Sequence, residues 1–177
     1  MVKKLALFFA YLSFFMLALM YFTPKVSIYY FFETQLKPYD IIISSESVQD
    51  SGLTLSIEDG VVFVKSIDSA KIKSVDVTIL GVYNALSITE IELSSVVGSF
   101  VPLKIAQVDA VYSVIDPLNI TANAVGEFGE VEAVVNLLER TLHVKLIPSA
   151  LMKKDYRHTL RNLKKSENGE FVYDKTF

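Results

Sequence analysis

Side chains able to do acid–base or metal chemistry are few in this chain, and their spacing says what each could do. Glu130 and Glu132 stand two apart in "GEVEAVV", and Glu90 and Glu92 repeat that spacing in "TEIEL". Two carboxylates on one strand face are an arrangement that general acid–base catalysis uses. Alternation produces the same pair on any solvated sheet face, where a Lys or Arg of the next strand is the ordinary partner. Glu58 and Asp59 are adjacent beside an expected turn. His143 falls on the polar side of a strand with Thr141 and Lys145, and His158 lies in a basic segment. Neither is followed two to four residues later by a second His or a carboxylate that would make a metal-ligand spacing. The chain has no Cys, so thiolate ligands, cysteine nucleophiles and disulfides are excluded. "GEFG" has the wrong spacing for a phosphate loop, and no serine sits in a Gly-x-Ser-x-Gly elbow. The expectation is a non-enzymatic protein with no catalytic, cofactor-binding or metal-binding residues.

The elements that carry these residues begin with a segment built for lipid. Hydrophobic residues make up 51% of the chain, high for a soluble domain. "MVKK" precedes "LALFFAYLSFFMLALMYF", Leu5 to Phe22, which has no charge. As a helix it spans about 27 Å, close to the hydrocarbon thickness of a bilayer. Lys3 and Lys4 before it place the amino terminus in the cytoplasm by the positive-inside tendency. A cleaved signal peptide is the rival, but the apolar run is long and no small-x-small pair stands just after it. Residues 1–23 are therefore expected to be a cytoplasmic tail and transmembrane anchor.

Residues 24–39, "PKVSIYYFFETQLKPY", have helical spacing and suit a short juxtamembrane helix, its aromatics either on the membrane surface or, the favoured placement, plugging the end of a β-domain. From residue 40 the period becomes two. "IIISSESV" reads as one strand, and Asp59-Gly60 as the hairpin turn within "LTLSIEDGVVFVKSI". "AKIKSVDVTILG" and "NALSITEIELSSV" each carry a phase slip, which predicts a bulge or a strand partly covered on both faces. "LKIAQVDAVYSVI" puts Ala106, Val108, Ala110, Tyr112 and Val114 on one face, the candidate apolar groove. "DPLN" punctuates, and three more strands complete this region, broken near Gly126/Gly129 and Glu139-Arg140. About eight or nine strands joined by short turns predict a mainly β fold, a curved antiparallel meander.

Near the carboxyl end, "SALMKKDYRHTLRNLKK" reads as one amphipathic helix over 150–165 with Ser149 as its N-cap. Met152, Tyr156, Leu160 and Leu163 form its apolar stripe. Lys153, Lys154, Arg157 and Arg161 form a candidate basic docking face for an acidic partner or anionic headgroups. "ENGEFVYDKTF" adds a turn at Asn168-Gly169 and a last strand. Charge is uneven: residues 24–148 carry a net −8 and residues 149–167 a net +4. An acidic body with one basic segment excludes the basic main-domain face that nucleic-acid binding needs.

The order of anchor helix, exported meander and closing strand resembles the type II secretion system protein N family. More broadly it resembles the AsmA-like and lipopolysaccharide-export β-sheet proteins. The residues that carry the likeness are "YSVIDPLNITANAVGEFGEVEAVVNLLERTLHVKLIPS", the helix after it, and "ENGEFVYDKTF". The resemblance implies a single-pass inner-membrane protein with residues 40–177 as a periplasmic β-domain, and a non-enzymatic role in a type II secretion-like apparatus. Its partners would be other envelope proteins. The alternative it implies is a lipid-binding or lipid-transport module that uses the apolar sheet face.

Overall fold

A computed structural model describes every residue except Met1, Val97, Ser99 and Glu167. The first helix, α1 (Val2–Phe22), is long and apolar enough to cross a membrane, with mean hydropathy 2.2 over Lys3–Phe22. None of that stretch is fully buried in the chain, and only its end, at Ala18 and Met20, is partly covered. It ends at Thr23-Pro24, where Thr23 Oγ1 donates 2.7 Å to the Leu19 carbonyl. α2 (Lys25–Leu36) comes next, then a single 3₁₀ turn over Lys37–Tyr39.

Every strand from Ile41 onward joins one antiparallel sheet. The strands are β1 (Ile41–Ser44), β2 (Ser47–Asp50), β3 (Thr54–Val64), β4 (Ile67–Ile79), β5 (Tyr83–Leu93) and β6 (Lys104–Ser113). They continue with β7 (Asp116–Gly126), β8 (Gly129–Asn136), β9 (Thr141–Pro148), β10 (Lys164–Lys165) and β11 (Phe171–Thr176). From β3 to β9 each strand pairs with its sequence neighbour; β11 then lies on β9, with β10 outside it. The expected antiparallel meander is present, with eleven strands rather than eight or nine.

Four local expectations are corrected. "IIISSESV" is two strands, β1 and β2, separated at Ser45 (φ 67°) and both paired to β3. Asp59-Gly60 is not a hairpin turn: β3 runs straight through it. The β3–β4 turn is Lys65-Ser66, with φ of 51° and 63°, the left-handed pair a two-residue hairpin requires. "DPLN" opens β7, and the tight turn is Val114-Ile115, since Ser113 faces Asp116. The helix expected over 150–165 is two short ones, α3 (Ala150–Asp155) and α4 (Arg157–Leu160), broken at non-helical Tyr156. Lys164 and Lys165 leave it to pair with Val172 and Phe171, exchanging a marginal last helical turn for sheet hydrogen bonds. The N-cap stands: Ser149 Oγ accepts from Met152 N at 3.1 Å.

The phase slips mark a crease. Asp59 (φ 57°) and Glu90 (φ 51°) are left-handed, and the ladders skip Asp59, Lys73 and Glu90. In β6 the register shifts at Ala106. These irregularities line up from Ser45 to Ala106, so the sheet bends along a line across its strands.

The sheet also curls. α4 comes after β9, yet Thr159 Oγ1 donates 2.6 Å to the Phe100 carbonyl in the β5–β6 connection. β6 and β9 are separated by two strands, about 14 Å along a flat sheet. Met152 and Leu160 pack on Leu146, with Val131, Phe128 and Phe171 around them, so α3 and α4 sit on the apolar face. The apolar face is therefore inside the curl, and the helices and the β5–β6 connection close one end of it.

Candidate functional site

The register builds the inner face row by row. Ile57, Val75, Ile88, Val108, Ala124, Val131 and Leu146 lie opposite one another across β3 to β9. The next row is Leu55, Val77, Leu86, Ala110, Ala122, Ala133 and Val144. Tyr112 lies between Asn84 and Ile120 in a third row. Among the described residues, the fully buried hydrophobics are Leu55, Ile57, Leu146, Met152 and Leu160, at the two flanks. From β4 to β8 the inner-face residues are partly buried, none of them exposed and none fully covered, and all the strands belong to one sheet. Four alanines (Ala110, Ala122, Ala124, Ala133) meet in the middle, and small side chains there leave the face shallow and open. The result is an apolar trough.

Of the five residues expected to form a groove, Val108, Ala110 and Tyr112 share this face. Ala106 sits at the register shift and is exposed. Val114 lies beyond the end of β6, half exposed in the turn, and its N–H donates 3.0 Å to the Val82 carbonyl. The partners that complete the trough, Leu86, Ile88, Ala122, Ala124 and Ala133, come from three other strands. Alternation marks each as apolar; only the register shows which rows they share.

Along the crease runs a second hollow of about 860 Å³. Gly60, Ile72, Ile91, Ile105 and Gly126 lie opposite one another along its middle. Asp59, Lys73 and Glu90 flank it on one side, and Lys71, Glu92, Lys104 and Glu127 on the other. Lys73 Nζ meets Glu90 at 2.6 Å, and that hydrogen bond and charge raise the lysine pKa. Alternating signs leave this lining without a strong field of either sign.

The basic face is partly assembled. Lys153, Arg157 and Arg161 gather round a small pocket of about 280 Å³ with Leu160 and Phe171, while Lys154 does not line it. Arg157 Nε donates 3.1 Å to the Lys153 carbonyl. The pocket's apolar floor beneath three cations suits an acidic group carried on an apolar stem.

Three of the four paired carboxylates meet ordinary basic partners, while Glu130 lies opposite Val125 and Ile147. Glu132 faces Lys145, which sits 3.6 Å from it and 3.2 Å from Glu170. The Glu170 hydrogen bond and the charges of Glu132 and Glu170 raise the Lys145 pKa. Glu92 lies opposite Lys71 and Lys104. His143 has a partner no local spacing could reveal: its Nδ1 is 2.6 Å from Asp174, brought in by β11. Among the described residues, no group of three or more His, Asp or Glu side chains is placed to hold a metal.

No family model, curated protein or solved structure matches this chain. Its capabilities must therefore come from its own geometry.

One more group ties the parts together. Lys25 is 1% exposed. Its Nζ donates to the carbonyls of Met20 (3.0 Å), Thr23 (3.3 Å) and Gly52, with Asp50 at 3.9 Å. Met20 and Thr23 are the last carbonyls of α1, which carry the negative end of its dipole. Gly52 (φ 84°) belongs to the β2–β3 turn, and a side chain there would strike the Tyr21 ring. One buried ammonium thus joins the end of the membrane-length helix to the sheet.

Proposed function

We propose that this chain is a single-pass inner-membrane protein whose sheet domain holds lipid acyl chains in the apolar trough. α1 is the anchor, Lys3 and Lys4 keep its amino terminus in the cytoplasm, and the sheet lies in the periplasm. The observation that carries the reading is the partly buried inner face of β4 to β8. An apolar face of that extent, with small residues at its centre and no packing layer, marks a binding surface rather than a core. Each methylene laid on it contributes about 0.8 kcal/mol, so a single chain provides useful affinity without any polar contact. Purifying the full chain in detergent and analysing it by native mass spectrometry tests this. Bound species at phospholipid or glycolipid masses are expected, and a chain carrying detergent alone would sink the reading.

A second reading has its own observation, the pocket formed by Lys153, Arg157 and Arg161. In it the protein is an accessory part of a type II secretion-like apparatus and docks an acidic protein partner through this face. Reversing Lys153, Lys154, Arg157 and Arg161 to Glu should then abolish secretion of exported enzymes while the protein accumulates normally. Unchanged secretion of every substrate rules the docking role out.

A further inference from the structure

We infer that the apolar turn tips at the α1 end of the sheet form a rim on which the domain sits in the surface of the bilayer that α1 crosses. The two ends of the sheet differ in what closes them. At the α1 end the turns expose Val82 (59%), Ile115 (93%) and Leu138 (73%), with Leu118 and Phe177 beside them and the charged Asp116, Glu139 and Arg140 interspersed. At the other end polar turn residues Lys65, Ser66 and Glu127 stand beside exposed Ile67, Val96 and Phe100, and α3 and α4 fill much of the remainder.

Backbone hydrogen bonds stitch the tips into one line. Ile79 N donates to Leu53 O, Val114 N to Val82 O, Leu137 N to Leu118 O, and Phe177 N to Arg140 O. That chain runs from the β2–β3 turn to the last residue. Single exposed apolar side chains are common, but successive tips on one edge form a patch.

Continuity with α1 identifies the occupant. That helix ends on the same edge: Tyr21 lies against Gly52 and Met20 against Gly81, in the β2–β3 and β4–β5 turns, and Lys25 locks the junction. A bilayer around α1 has its surface near Tyr21 and Phe22, so the edge of the sheet meets it at that depth. Apolar groups there enter the boundary between headgroups and acyl chains by about 5–10 Å.

The rim rests on α1 crossing a membrane, and not on what the trough holds. The chain has no Trp, so one introduced Trp is a unique reporter. Ile115→Trp, Val82→Trp, Glu127→Trp at the opposite end and Phe14→Trp in α1 would each be reconstituted as the full chain in phosphatidylethanolamine–phosphatidylglycerol vesicles. Fluorescence is read with and without acyl-chain-brominated lipid, in variants with parent-like far-ultraviolet dichroism. Both rim reporters should emit to the blue of Glu127→Trp and lose most of their intensity to bromine, as Phe14→Trp does. If both rim reporters emit like Glu127→Trp and escape quenching, the rim is overturned. Absence of quenching at Phe14→Trp overturns it too, because no bilayer would surround α1, and leaves lipid in the trough to be judged by mass spectrometry.

Discussion

At the scale of single residues, Lys25 sets the relation between anchor and sheet. Its ammonium satisfies two carbonyls at the end of α1 and one in the β2–β3 turn. Replacing it by Met keeps the length of the side chain and removes the donors, so those carbonyls remain buried without a partner. That costs about 1–3 kcal/mol. Lys25→Met should lower the urea midpoint of the full chain in detergent by a corresponding amount, monitored by far-ultraviolet dichroism. A midpoint equal to that of the parent would show that the lysine does not tie the helix to the sheet. Nearby, burial and the charges of Glu46 and Glu33 raise the Tyr29 pKa, so this tyrosine keeps its proton at alkaline pH where a free one ionises.

Among the elements, the crease decides the sheet's shape. β3 and β5 cross it only because Asp59 and Glu90 adopt left-handed φ, a conformation Asp tolerates better than β-branched residues. Asp59→Val should therefore cost about 1–2 kcal/mol, and Asp59→Asn close to nothing. Urea titration of the two variants side by side is the check: equal midpoints would mean that the left-handed residue is not required. The same Asp-Gly pair reads as a hairpin from sequence because a type I′ turn and a kinked strand both ask for positive φ. Local preference states that the backbone bends there and leaves open in which way. The two strands that flank Asp59, β2 and β4, settle it by pairing on both sides.

For the molecule as a whole, the trough is the consequence of one sheet curling without a second layer. If it holds acyl chains, filling its centre should expel them. Ala110→Phe together with Ala122→Phe places two rings where the rows have only methyl groups, opposite each other on β6 and β7. Because the face above them is open, the fold tolerates the added volume better than a packed core would. The expected result is a folded protein from which the lipid masses have disappeared. Retention of full lipid occupancy would move the binding surface elsewhere, the crease hollow being the next place to look.

What the sequence by itself determined is everything that depends on near neighbours. The uncharged run of Leu5 to Phe22 makes a membrane-length helix, alternation makes antiparallel strands with one apolar face, and Ser149 caps a helix through its own third neighbour. Periods of two and of three to four residues are local properties, so they can be read in the chain. Tertiary structure decided the rest. It chose between turn and crease at Asp59-Gly60, and it broke the basic helix at Tyr156 so that Lys164 and Lys165 could pair with β11. It paired His143 with Asp174, thirty-one residues away, and set four alanines of three strands side by side. Each of these depends on which strands lie next to each other, and register is a relation between distant segments that no local pattern contains.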